Sequence, residues 1–127
     1  MCGITGIFFL NYNSSYINIV NEILNLQHNR GPDYKNTYEN NNLILGHNRL
    51  SILDLSPSGN QPMETEKGII CYNGEIYNFL DLKNYILHKF PDFKFNGTSD
   101  TEILSNYISI FGIDKTLNKI NGIYAFA

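Results

Sequence analysis

Cysteine is scarce in this chain: Cys2 and Cys71 are the only two in 127 residues. Two thiols so far apart exclude a cysteine-based zinc site, and nothing marks the chain as secreted, so both are expected to stay reduced. Positive charge is also in short supply. Lys and Arg number 9 against 12 Asp and Glu, a net charge of -3. Without a basic run, this balance excludes a nucleic acid or an anionic membrane as the expected partner. Long apolar runs are missing. The opening stretch from Ile4 to Leu10 is far too short to span a bilayer and has neither a basic flank nor a small-residue cleavage site. No signal peptide is read there, and the cytoplasm is the expected location. No Gly/Ser/Pro-rich linker or internal repeat divides the chain, and the Asn40-Asn41-Asn42 run reads as compositional bias. His28, His47 and His88 are scattered without a ligand motif, so no metal site is expected.

What is present favours a packed globule. Apolar residues make up 43% of the chain and charged ones 17%, enough for one domain burying roughly two-thirds of its unfolded surface. Residues 3–10 read as a buried strand, followed by a helix capped by Ser14 or Ser15 and ending near His28. Residues 35–39 and 43–48 form a hairpin around the Asn run, and Leu50 to Leu55 are expected to extend the sheet before a loop over 56–62. Residues 68–72 form a strand leading into Asn73-Gly74, the most turn-prone dipeptide. Asn78 then caps a helix to about Lys89 with Leu82, Tyr85, Ile86 and Phe90 on one face. A further helix runs from Asp100 to Phe111, capped by Thr98 or Ser99 and stopped by Gly112. A short one covers 114–119, and Ile123 to Ala127 make a last strand. An apolar strand at the extreme C-terminus is an unusual domain edge, and the chain is expected to be the N-terminal piece of something longer.

Cys2 is the position with the most chemistry. Once Met1 is trimmed, one residue carries both a thiol nucleophile and a free α-amine, a group that titrates at about 7.7–8.0 in model peptides and can take the thiol proton. Asn73-Gly74 reads as a turn that can also present amides to a pocket. Arg49 reads as a surface cation or a carboxylate fork, and Asp100 as a first-turn helix acid or a ligand acceptor.

Six segments carry a resemblance: Met1-Cys2-Gly3-Ile4, Arg30-Gly31-Pro32-Asp33, Gly46 to Ile52, Gln61-Pro62-Met63, Asn73-Gly74-Glu75-Ile76-Tyr77-Asn78 and Ser99-Asp100-Thr101-Glu102. Together, in this order, they resemble the N-terminal glutaminase domain of glutamine-hydrolysing asparagine synthetases. These are class II glutamine amidotransferases of the N-terminal-nucleophile hydrolase fold. One departure is Asn29, where the family has His before Arg-Gly-Pro-Asp. The resemblance implies an α+β, four-layer αββα fold with two stacked antiparallel sheets, here cut short at the C-terminal end. Residues 1–127 then form the N-terminal part of the amidotransferase domain, with the synthetase domain absent. ATP and magnesium belong to that absent part, since no phosphate-binding Gly-rich loop is present, and no cofactor is expected within this chain.

The resemblance also implies roles. Cys2 attacks the side-chain amide of L-glutamine to form a thioester, and Asn73 and Gly74 form the oxyanion hole. Arg49 grips the substrate α-carboxylate, while Asp100, with Glu75 secondarily, accepts from the α-ammonium. Leu50, Ser51, Ile52 and Leu53 line the pocket, chiefly through backbone groups, and otherwise read as an ordinary strand. Released ammonia would serve asparagine synthesis from aspartate in a synthetase domain or subunit, within a protein that could be a homodimer. The alternatives are a non-catalytic glutamine-binding or interaction module, an inactive remnant, or a free-standing glutaminase subunit.

Overall fold

The computed structural model describes residues 1–65 and 67–127. Its chain order is β1 (Gly3–Phe8), α1 (Ser15–Leu26), a 3-10 turn (His28–Arg30), β2 (Tyr34–Glu39), β3 (Leu43–Arg49), a second 3-10 turn (Pro57–Gly59), β4 (Met63–Thr65), β5 (Gly68–Ile70), β6 (Tyr72–Ile76), α2 (Phe79–Lys89), α3 (Asp100–Phe111), α4 (Ile113–Leu117) and β7 (Gly122–Phe126). Every strand pairing is antiparallel. One sheet has the order β1-β3-β2, and β4-β5 and β6-β7 form separate pairs. The class is α+β, as expected.

β3 organises the layers. Strand side chains alternate between faces. Ile44 packs with Val20 and Leu24 of α1, and a Cβ on Gly46 would strike the same two helix residues. Asn48 donates its amide N–H to Leu24 O at 2.6 Å. On the opposite face, His47 bonds Tyr72 O of β6 across the space between the sheets, and Arg49 points into a cavity. Covered on both sides, β3 is buried from Ile44 through Arg49. Beyond β6 lies the larger core, where Ile70, Tyr72 and Ile76 meet Leu82 and Ile86 of α2 and Ile103, Leu104 and Tyr107 of α3. The layers therefore run α1, first sheet, β6–β7, then α2 with α3.

Local signals set several boundaries. Ser99 caps α3 by accepting from Glu102 N, and Gly112 ends it at a φ of +86°. Asn40 Oδ1 accepts from both Asn42 N and Leu43 N, closing the β2–β3 hairpin where the Asn run lies.

Four expectations are corrected. Asn73-Gly74 is strand interior, not a hairpin turn: these residues face Ala125 and Tyr124 of a strand far along the chain. Leu50 to Leu55 do not extend the sheet. Side chains take their amides instead, Leu50 N donating to Cys2 Sγ and Ser51 N to Asp33 Oδ2. No serine side chain caps α1; Asn13 Oδ1 accepts from Ser15 N at 2.9 Å. Asn78 makes no side-chain cap either. Its side chain ties Lys119 O and Asn121 N, anchoring the α4–β7 connection to the start of α2.

Candidate active site

Cys2 stands just before β1. Because Ile4 lies opposite His47 and side chains alternate, Cys2 falls on the face of the sheet turned toward β6. Its residue is held at two points. Arg30 Nε donates to Cys2 O at 3.0 Å, and Leu50 N donates to Cys2 Sγ at 3.4 Å. Met1 precedes it at the cavity rim and is 69% exposed.

A cavity of about 260 Å³ opens beside Cys2. Of the site residues expected from sequence, Cys2, Arg49, Leu50, Ile52, Leu53, Gly74, Glu75 and Asp100 border it, and Ser51 and Asn73 do not. Asn73 instead presents a buried Oδ1 with no hydrogen-bond partner. An uncommitted buried polar atom of this kind calls for an explanation.

The open edge of β6 explains Gly74. Cys71 and Ala127 exchange both backbone bonds, and Tyr77 N donates to Asn121 O. Antiparallel ladders alternate bonded and non-bonded pairs, so Tyr72, Gly74 and Ile76 turn their amides away from β7. Tyr72 N is taken by Gln61 Oε1 at 2.6 Å, and Ile76 N by Asp100 Oδ2 at 3.1 Å. Between them the Gly74 amide faces the cavity. A Cβ at Gly74 would overlap the Ile123 carbonyl of β7, so glycine is what permits this close pairing.

Arg49 is a buried cation, 5% exposed, and not a surface one. Nη1 donates to Ser56 O at 2.8 Å and to Asn60 Oδ1 at 2.7 Å, and Nη2 donates to Asp54 O. None of these acceptors is a carboxylate. A guanidinium has five N–H groups, so Nε–H and one Nη2–H remain for a carboxylate. A Cβ at Gly59 would collide with Nη2, so glycine at 59 lets the loop close over Arg49 with its guanidinium in this position.

Asp100 sits in the first turn of α3. Its Oδ2 accepts from Tyr72 Oη at 2.7 Å and from Ile76 N. Burial first, and then the bond to Asp100, raise the Tyr72 phenol above its usual range, so Tyr72 stays a donor. Cys71 is buried and its thiol is pushed up to about 12 by that burial. It packs in the interior with Sγ toward Gly46 O and does not compete as a nucleophile.

His47 is fully buried, and burial is the main cause that lowers its pKa to about 4. Since its Nε2 contact is a carbonyl at 3.1 Å, Nε2 carries the proton and Nδ1 is left without a partner. The folded pKa lies below the unfolded value of about 6.5, so the unfolded chain binds more protons as pH falls. The contribution of His47 to stability is therefore complete above pH ~6.5. It declines as pH drops toward 4, by up to about 3 kcal/mol. Denaturant unfolding across this range should show that decline in the native protein and a flatter profile in His47→Gln.

Reading residues alone missed Gln61, Tyr72, Asp54 and Asn60 as parts of the site. Gln61 lies in the Gln61-Pro62-Met63 motif and Tyr72 stands immediately before Asn73, so both adjoin a sequence signal. The others carry no local signal. Among the described residues, no group of three His, Cys, Asp or Glu could hold a metal, and no helix is long and apolar enough to cross a membrane.

Comparison with known proteins identifies the family. A family model described as a glutamine amidotransferase domain matches residues 1–127. Amidase chry2 of Gibberella zeae is 41% identical over 107 residues, 81% of this chain and 15% of that protein. The glutamine-hydrolysing asparagine synthetase 3 of Bacillus subtilis is 35% identical over 135 residues, 100% of this chain and 21% of its own length. A putative glutamine-hydrolysing asparagine synthetase 2 of Methanocaldococcus jannaschii is 37% identical over 148 residues, 99% of this chain and 27% of its length. The chain thus spans about a quarter or less of these relatives. It belongs to the glutamine amidotransferase domain family, and the domain is like that of asparagine synthetases.

Proposed function

We propose that this chain is the glutaminase domain of an asparagine-synthetase-like amidotransferase and that Cys2 is its nucleophile. The observation that carries this reading is the meeting of Cys2, Arg49, Gly74 and Asp100 around one cavity, although they come from four separate segments. After Met1 is removed, the Cys2 α-amine takes the thiol proton as sulfur attacks the side-chain amide carbon of L-glutamine. The same amine then protonates the departing nitrogen, the C–N bond breaks, and ammonia leaves a γ-glutamyl thioester. Water hydrolyses the thioester to glutamate and restores the thiol.

The open Gly74 amide supplies one donor for the oxyanion, and Asn73, which does not border the cavity, would supply the second by turning its Nδ2 toward it. The free Nε–H and Nη2–H of Arg49 take the substrate α-carboxylate, and Asp100, with Glu75 beside it, faces the α-ammonium. Leu50, Ile52 and Leu53 shape the wall, and Ser51 N, committed to Asp33, holds that wall in place. Ammonia would serve an ATP-dependent amide synthesis, asparagine from aspartate, in a synthetase part of the whole protein. Relatives named as asparagine synthetases and as an amidase are both similar to this domain, so the acceptor is assigned less narrowly than the glutaminase step.

Arg49→Lys tests the substrate grip. A lysine cannot reproduce the planar fork, and losing a hydrogen bond to a charged group is worth about 1.5–3 kcal/mol. The KM for glutamine should rise about 10- to 100-fold with a smaller change in kcat. An unchanged KM would remove Arg49 from the substrate site.

A further inference from the structure

Asp54 lies between two exposed leucine-type side chains, Leu53 and Leu55, in the loop that follows β3. Its φ of +55° is the left-handed conformation, one that aspartate tolerates better than most residues but that still costs about 1 kcal/mol or more. That turn lets one residue reach in two directions. Its carbonyl oxygen accepts from Arg49 Nη2. Its carboxylate reaches the opposite way: Oδ1 accepts from Ser56 N at 3.0 Å and from Ser56 Oγ, and Oδ2 accepts from Thr98 N at 2.6 Å. Thr98 is two residues ahead of Asp100, next to the Ser99 cap of α3.

The neighbouring glycine fits the same arrangement. A Cβ on Gly97 would land on Asp54 Oδ2, so glycine there lets the 96–98 segment seat against this carboxylate in its present position. The bond from the Ser56 hydroxyl, and next that from the Thr98 amide, hold the Asp54 carboxyl below the usual carboxylate range. The tie to Thr98 is thus a charge-assisted N–H···O bond, the stronger kind. Other links between these segments, Ser58 Oγ to Asn96 O at 3.4 Å and Gln61 Nε2 to Thr101 Oγ1 at 3.2 Å, are neutral and longer.

We propose that Asp54 is a positioning residue that fixes the spacing between Arg49 and Asp100, the two ends of the substrate grip. The inference rests on the assignment of those two residues to the α-carboxylate and α-ammonium of glutamine, and adds their mechanical coupling. In an α-amino acid both charged groups sit on one carbon, so a site that reads both must present its partners at one separation. Partners held at another separation can meet only one of the two groups, and a lost hydrogen bond to a charged group weakens binding by about tenfold or more. Asp54 spans that separation directly, with backbone to one partner and side chain to the other's loop.

Asp54→Gly in the whole protein is the main test. Glycine adopts φ +55° without strain and keeps the carbonyl on Arg49, so only the carboxylate tie is lost. KM for L-glutamine should rise about tenfold or more with kcat changed far less. Alkylation of Cys2 by iodoacetamide, which needs neither grip, should proceed at the unaltered rate, and Cys71, buried and held as a thiol, does not confuse that readout. Combined with Arg49→Lys, the effect should be less than additive, as for residues acting as one unit. Should Asp54→Gly fold poorly, Asp54→Asn keeps the size but offers one oxygen where two are used, and the same KM-against-kcat split is expected. Faster hydrogen exchange at the Thr98 amide with an unchanged KM would overturn the coupling alone, since the tie would be broken without consequence. An unmoved KM in Arg49→Lys would overturn the grip assignment, and the coupling with it.

Discussion

Replacing Cys2 by alanine is expected to abolish glutamate release, lowering kcat by at least about 10⁴-fold while glutamine still binds. The size of the effect follows from chemistry that nothing else in the cavity can supply. Cys71, the other thiol, is buried and pushed up to about 12, and a thiol in that state is not a nucleophile. Binding survives because Arg49 and Asp100, the proposed partners of the charged end of the substrate, owe their positions to Asn60, the Asp54 and Ser56 carbonyls, Tyr72 and Ile76, none of which touches Cys2 in these bonds. Steady-state glutamate release together with calorimetric glutamine binding checks both halves. Loss of binding along with turnover would mean that Cys2 shapes the pocket instead of reacting in it.

A loss of the same order is expected when the initiator Met1 stays attached. A peptide bond to Met1 turns the Cys2 nitrogen into an amide, which cannot accept the thiol proton, so both the base and the acid of the proposed cycle disappear. Met1 is exposed at the cavity rim, where a processing enzyme can reach it. Once it is gone, the Arg30 bond to Cys2 O and the Leu50 amide on Sγ remain to hold the new terminus. Preparations with and without Met1, distinguished by intact mass, should differ in glutamine turnover by about the factor seen for Cys2→Ala. Equal activity in the two would show that another group serves as base.

The parts of this fold that were legible in sequence are those determined over a few residues. Ser99 and Gly112 bound α3, and Asn40 closes its hairpin, because caps and tight turns are satisfied by neighbours along the chain. Asn73-Gly74 carries an equally strong local turn signal, yet pairing with β7 overrides it, and that partner lies some fifty positions away. Leu50 to Leu55 look like strand by composition and are held off the sheet by Cys2 Sγ and the Asp33 carboxylate. The site divides in the same way. From residue type alone, Asp100 reads as a helix-turn acid and Arg49 as a surface cation; the family resemblance brought them to the substrate, and the cavity brings both beside Cys2. Asp54, Gln61 and Tyr72 were invisible because their roles are hydrogen bonds to distant segments.

The most direct test of Cys2 as a covalent catalyst is to acid-quench the Met1-free protein during glutamine turnover and map its peptides by mass. The account predicts a γ-glutamyl group on the N-terminal Cys2 peptide, absent in the Cys2→Ala protein and in the form that retains Met1. Undiminished turnover with that peptide unmodified, or a glutamyl group on any other residue, would contradict it.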